Sequence, residues 1–527
     1  MNRVLLVAGV LAIAAVAVTA PTNAATKRSA STLCVGGGGC YSTIQAAVDA
    51  AHEGDTIKLN PGTFAGGVQV PKSLNIVGAG AGRTVIRGGG PVLTLGTLDA
   101  PTQPAAISIR GVTIMGGVNT GAAPDYAGAH GGGVLIPAAV GASDTFPGAS
   151  VTIADSVIAG NRVQPSGSTD FGISCPDGFV CPGAFAGGAG IESHGNLTLV
   201  NTIVSDNRAV TDTGYAGGGG VRQIEGSLTM RHSVVTRNQS VVTPPHGIYP
   251  WGAGVIVDGG SGAVVISDSV ISDNTVSMTS VYPVGPGTGA SGAALDFDES
   301  HTGPVTVTDT RITGNIVSGS DPAGDGSASA IVYVNSGSPL TMRNTVISGN
   351  HVIASGATGV TGGVIFATNS QSMISNMTLT GNTTSVTSTG DATGYSAFDI
   401  VSAQPSLVID SVFAGNTTRV SGQTTANIYG VGMFNGGVLQ LRRTRVTDNT
   451  GRADGQSGTV DAGGILNNQL FDELLPQLTL TDSLVARNSI SGSAGLTVHG
   501  GGISSTFPVT LQHSLITQNT PDQCFGC

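Results

Sequence analysis

Leu340-Thr-Met-Arg-Asn-Thr-Val-Ile-Ser-Gly-Asn350 has five fixed places, held by Leu340, Met342, Thr345, Ile347 and Asn350. The pattern apolar-x-apolar-x-x-Ser/Thr-x-apolar-x-x-Asn returns at Asn161, Asn207, Asn238, Asn274, Asn315, Asn449, Asn488 and Asn519, and more weakly at Asn382 and Asn416. Successive asparagines lie 31 residues apart at the tightest, Asn207 to Asn238, and 46 at the widest, Asn161 to Asn207. A constant pattern with variable spacing is a structural repeat whose insertions fall in one place. Between one Asn and the next copy, small residues run into an apolar one, as in Gly131-Gly132-Gly133-Val134, Gly188-Ala189-Gly190-Ile191 and Gly463-Gly464-Ile465. Each repeat therefore reads as three short strand-like pieces.

No helix-length apolar pattern separates these pieces, so βαβ crossovers have no helix to run through. Short strands can instead wind as a coil, each pairing in parallel with its copy one turn on, about 4.8 Å away. The predicted fold is all-β: a single-stranded right-handed parallel β-helix with its Leu/Ile/Val columns stacked inside. The Ser/Thr column is expected to form a hydroxyl ladder. Each Asn is expected to adopt the left-handed turn conformation and to bond the backbone or the next Asn in the stack.

Arg3, the apolar run Val4 to Val18 and Thr22-Asn23-Ala24 have the layout of a secretory signal over residues 1–24. A secreted or cell-surface protein is predicted, with no membrane span after cleavage. The six cysteines are close in sequence as Cys34 with Cys40, Cys175 with Cys181 and Cys524 with Cys527. Three disulfide staples are expected; the rival, metal ligation, has suitable spacing only at Cys524-x-x-Cys527. With 82 glycines, 10 % charged residues and a net charge of −11, the chain lacks the basic clusters that nucleic acid requires. A continuous repeat argues for one elongated, monomeric body: residues 25–40 an extension with a cysteine pair, 41–117 a cap and first coils, 118–527 the repeated coils.

Tyr41-Ser-Thr-Ile-Gln-Ala-Ala-Val-Asp-Ala-Ala-His-Glu-Gly-Asp55, continuing through Phe64, Val68-Gln-Val70 and Leu74-Asn-Ile-Val-Gly78, resembles the entry segment of pectate-lyase-like β-helix proteins. Ile44, Ala47, Val48 and Ala51 mark one face of a short N-terminal helix able to cap the open end of the solenoid. The Gly-rich element and Phe413-Ala-Gly-Asn416 are also similar to the repeats of bacterial polymorphic outer-membrane proteins, a family of surface adhesins. These resemblances imply the fold and contact with carbohydrate or a surface. They carry no catalytic residues over, because the Asp-Asp, Gly-His-Gly, Arg-Ile-Lys and Arg-x-Pro-x-x-Arg elements of the enzymes are missing here.

A β-helix is full inside, so chemistry belongs on outward side chains walled by long loops. Aligning the strands after the Gly-rich elements places Leu135, Glu192, Arg222 and Ile256 in one outward column, and Pro137, His194, Ile224 and Asp258 in the next. Leu295 departs from that simple register, while Asp296 and Asp298 fall beside the columns. Paired carboxylates one coil apart suit acid–base work on a glycoside or a hard cation, and Arg222 suits a sugar carboxylate. The long loops 162–187, 239–251 and 275–290 supply Tyr249, Trp251 and Tyr282 as stacking faces, with His194 as a further contact. In later coils the outward places read Val332, Ile365, Phe434, Leu466 and Ser504, a flat surface.

The first expectation is a rigid scaffold that binds a polysaccharide or cell-surface glycan without catalysis. The alternative is a polysaccharide-active enzyme (lyase, glycoside hydrolase or epimerase) working through Glu192, Arg222, Asp258, Asp296 and Asp298. No cofactor is expected, calcium entering only for lyase-like chemistry, and convergence of His194, His246 and His301 on a metal is disfavoured.

Overall fold

The computed structural model describes residues 28–97, 104–121, 128–138, 148–165, 185–279, 289–298, 300–334, 337–469 and 474–527. One coil runs through the strands Leu228–Arg231, Val234–Thr236, Gln239–Trp251 and Val255–Val257 before the next opens at Val264–Ser267. Every piece pairs in parallel with its copy, Leu228 opposite Val264, Val234 opposite Val270, Gln239 opposite Thr275 and Val255 opposite Leu295. The described strands form four long parallel sheets of 15, 13, 14 and 14 strands around a right-handed β-helix. A fifth sheet of six strands joins the coils from Ser327–Ala328 onward.

The sequence pattern predicts three strands per coil; the structure has four, then five. The additional strand lies where the loop 239–251 is predicted: Gln239–Trp251 is a continuous strand of the 13-stranded sheet. Pro244, Pro245 and Gly247 interrupt the period-two pattern by which a strand is recognised, although the neighbouring strands still supply its backbone partners.

Inside, Leu228, Met230, Val235, Val255 and Val257 are buried and stack on Val264, Ile266, Ile271, Leu295 and Phe297 one coil later. Each such side chain contributes roughly 1.5–3 kcal/mol by leaving water, which offsets the entropy of ordering glycine-rich coils. The asparagines form an unbroken buried ladder. Asn238 Nδ2 donates to Asn274 Oδ1 at 3.0 Å, Asn274 to Asn315 at 3.0 Å and Asn315 to Asn350 at 3.0 Å. Each asparagine oxygen also accepts the backbone N–H of the preceding Asn, as Asn274 does from Asn238 at 3.0 Å.

Two details depart from expectation. The left-handed residue is not the Asn but the one before it, such as Arg237 (φ 54), Asp273 (φ 56) or Asp448 (φ 60), which frees each Asn to turn inward. The hydroxyls bond backbone rather than each other: Ser233 Oγ donates to the Arg231 carbonyl at 2.8 Å and accepts from Thr202 N at 3.2 Å.

The helix Ile44–Ala50, N-capped by Thr43, buries Ile44, Ala47 and Val48 over the first coil. Thr32–Val35 is the first strand, parallel to Thr56–Leu59. Cys34–Cys40 and Cys524–Cys527 are disulfides, while Cys175 and Cys181 lie outside the described residues. Among the described residues no helix is long and apolar enough to cross a membrane.

Candidate functional site

The outward column that begins at Leu135 and Glu192 continues in strict register through Arg222, Ile256, Asp296, Tyr333, Ala367, Asp399, Phe434, Leu466 and Ser504. Leu295 stays in step after all, opposite Val255. Val332 starts its strand facing inward and Ile365 precedes the next, so Tyr333 and Ala367 take the outward places predicted for them. The Gly-rich turns make room for this column. Gly188 (φ 57) and Gly292 (φ 66) sit four residues before Glu192 and Asp296, and a Cβ on either would collide with those side chains.

Glu192, Arg222 and Asp258 form a chain of charges under cover. Glu192 is 1 % exposed, with its Oε1 2.8 Å from His130 Nδ1, 3.4 Å from His194 Nε2 and 3.4 Å from Arg222 Nη1. Arg222 Nε donates to Asp258 Oδ2 at 2.6 Å, and its guanidinium carbon lies 4.1 Å from the centre of the Phe185 ring. Trp251 Nε1 donates to Asp258 Oδ1 at 3.3 Å. Burial alone would push the Glu192 carboxyl up, yet Arg222, His130 and His194 together hold it well below the usual carboxylate range. At Asp258 burial outweighs Arg222 and pushes the carboxyl up. Arg222 is therefore engaged by two carboxylates and one ring.

One coil further along, Tyr215, Tyr249, Trp251, Ser291, Asp296, Asp298 and Tyr333 line a cleft of about 360 Å³. The Trp251 ring centre lies 5.6 Å from Tyr215, 5.5 Å from Tyr249 and 5.7 Å from Phe185. Asp296 is buried and accepts from Ser291 Oγ at 3.0 Å. Burial, reinforced by Asp258 and Asp298 and only partly relieved by Ser291, pushes its carboxyl well up. The Tyr249 phenol is likewise pushed up, mainly by burial.

All five predicted acid and arginine positions thus share one face, Glu192, Arg222 and Asp258 behind the cleft and Asp296 and Asp298 on its wall. Tyr249 and Trp251 line it, His194 turns to Glu192, and Tyr282 lies outside the described residues. His301 Nδ1 faces the Gly259 carbonyl at 3.2 Å, and the side chain of His246 lies outside the described residues. Among the described residues no three His, Cys, Asp or Glu side chains are grouped to hold a metal ion. Phe185, Tyr215, Tyr333, Ser291 and His130 were not expected. A signal for three of the rings exists: Phe185, Tyr215 and Tyr249 each stand three residues before a left-handed glycine (Gly188, Gly218, Gly252) and pair in register.

The architecture is a right-handed parallel β-helix. No family model matches the sequence, and no curated protein matches it. Among solved structures it is similar to the A-module of the Azotobacter vinelandii mannuronan C-5 epimerase AlgE6, at 12 % identity over 91 % of this chain and 95 % of that one, with a TM-score of 0.27. It is also similar to a mannuronic acid specific polysaccharide family 6 lyase from human gut microbiota, at 11 % identity over 88 % of this chain and 87 % of that one, with a TM-score of 0.31. At such identities no residue role passes from those proteins to this chain.

Proposed function

We propose that this chain is an exported, monomeric β-helix scaffold that holds a carbohydrate chain in the cleft around Trp251. One observation carries the reading. Four aromatic rings, Tyr215, Tyr249, Trp251 and Tyr333, meet the hydrogen-bonding groups of Ser291, Asp296 and Asp298 in a single hollow on the outer face of the solenoid. Flat rings take the apolar faces of pyranoses, and carboxyl and hydroxyl groups take their hydroxyls. Behind the hollow, the charges of Glu192, Arg222 and Asp258 satisfy one another and lock the wall through the Trp251 indole. Rigid support of this kind lowers the ordering cost of binding.

A second reading, glycoside hydrolysis, is favoured by one feature. Asp296, a carboxyl that burial pushes well up, shares the cleft with Asp298, and two carboxyls in unlike surroundings are what acid and base roles require.

The single tryptophan of the chain is Trp251, so emission excited where tyrosine does not absorb reports the cleft. Titration with a panel of oligosaccharides is expected to shift that emission, and Tyr249→Ala is expected to weaken binding by about tenfold, the loss of one stacked ring. A panel that leaves Trp251 emission unchanged and is not retained by immobilised protein removes the proposal. Reducing ends released by the wild type and lost in Asp296→Asn would establish the second reading.

A further inference from the structure

We infer that the cleft selects sugars without carboxylates, neutral or amino sugars, and rejects polyuronates; the inference rests on the carbohydrate-binding reading above. Tight recognition of a uronate is best served by a cation free to face the sugar carboxylate. The guanidinium behind the cleft is already engaged on three sides. Arg222 gives Nε to Asp258 at 2.6 Å and Nη1 to Glu192 at 3.4 Å, lays its plane 4.1 Å from the Phe185 ring centre, and is 13 % exposed.

None of the seven described lining residues is cationic, and two of them, Asp296 and Asp298, are carboxyls. A uronate carboxylate entering the cleft would shed water without gaining a cation and would face the carboxyl of Asp298. A neutral sugar meets the same wall differently, since its hydroxyls donate to those oxygens while its ring covers Trp251 or Tyr249. An amino sugar brings the positive charge that the wall lacks. The field therefore discriminates by repulsion, and it does so with side chains that are neutral or favourable toward the uncharged chain.

The test pairs each neutral oligosaccharide with its carboxylate counterpart: cellohexaose with its C6-oxidised form, mannohexaose with oligomannuronate, and methyl-esterified oligogalacturonate with the free acid, beside chitosan oligomers. Trp251 emission is titrated at neutral pH and low salt. The expected result is that the member lacking carboxylates binds at least about tenfold tighter than its partner, with the gap closing at high salt. Asp298→Lys is expected to raise affinity for the uronate member. A uronate that binds the wild type as well as or better than its neutral partner overturns this inference and leaves the carbohydrate reading standing. Silence from every member, charged or not, overturns the carbohydrate reading itself.

Discussion

Glu192 and Leu466 hold the same place on the same column, eight coils apart, and live in opposite surroundings. Around Glu192 the column is charged and opens, through Arg222 and Asp296, onto the cleft. Around Leu466 it is apolar: Phe434 (6 % exposed) and Leu466 (2 %) pack with Val401 and Ala462. The backbone does not tell these regions apart. Both are strictly parallel, and both place a left-handed glycine four residues before the column, Gly188 before Glu192 and Gly430 before Phe434. A solenoid thus offers one surface template, and a site is written into it by side chains over a few coils.

The two regions should respond most differently to truncation. Arg222→Ala leaves Glu192 and Asp258 buried without their shared cation, a loss of about 3–5 kcal/mol. Leu466→Ala leaves a cavity in a small satellite cluster, and about 2–3 kcal/mol is expected there. Urea unfolding followed at Trp251, which touches Asp258, reads the first directly. If Arg222→Ala proves milder than Leu466→Ala, the charged chain is not the keystone of the front coils. The triple variant Glu192→Gln, Arg222→Met, Asp258→Asn sharpens the point, since replacing all three charges together should recover much of the single-variant loss.

How much of this contrast the sequence discloses follows from what side-chain periodicity can encode. The inward Leu/Ile/Val places repeat with the eleven-residue unit, so the coil, its register and the helix over Ile44–Ala50 are legible. The strand Gln239–Trp251 is not, because its prolines and its partners one coil away leave no local signature. Glu192, Arg222 and Asp258 could be placed on one face, but not their mutual commitment, which depends on rotamers and on His130 arriving from an earlier coil. Asp399 escaped notice for a simpler reason. Its strand, Phe398–Ile400, follows Tyr395-Ser396-Ala397 and not a run of glycines, so the signature that marks the other coils is missing there.

That carboxyl supplies a second contrast, in pH. Glu192 is held below its unfolded value, so its contribution to stability is complete above about pH 4.3 and is lost as pH falls through its lower folded value. Asp399, buried against a single side-chain donor, Ser396, is pushed up to about 7. Its folded form keeps a proton that the unfolded chain releases above about pH 3.9, so stability falls as pH rises from about 4 to about 7. Asp399→Asn should match the wild type near pH 4 and exceed it at pH 8, by a few kcal/mol at most on the order of the shift. Thermal melts across that range decide the matter: parallel curves for wild type and variant would mean that Asp399 ionises freely in the folded chain.

The smallest effect is expected where front and rear are alike. At the outer corners, Arg237 clasps Asp206 with bonds of 2.8 and 2.8 Å in the front coils, and Arg443 and Arg487 clasp Asp410 and Asp448 in the same way at the rear. These pairs bridge neighbouring coils, but their side chains stand about half in water, where solvent and salt screen the attraction and ordering two long side chains opposes it. Replacing Arg237, Arg443 or Arg487 by Gln should shift the melting temperature by no more than replicate scatter, in front and rear equally, and raising the salt should leave wild type and variants together. A loss confined to Arg237→Gln would show that the front coils lean on their surface as well as on the buried chain, and the contrast drawn from Glu192 and Leu466 would have to be moved from the column to the whole width of the coil.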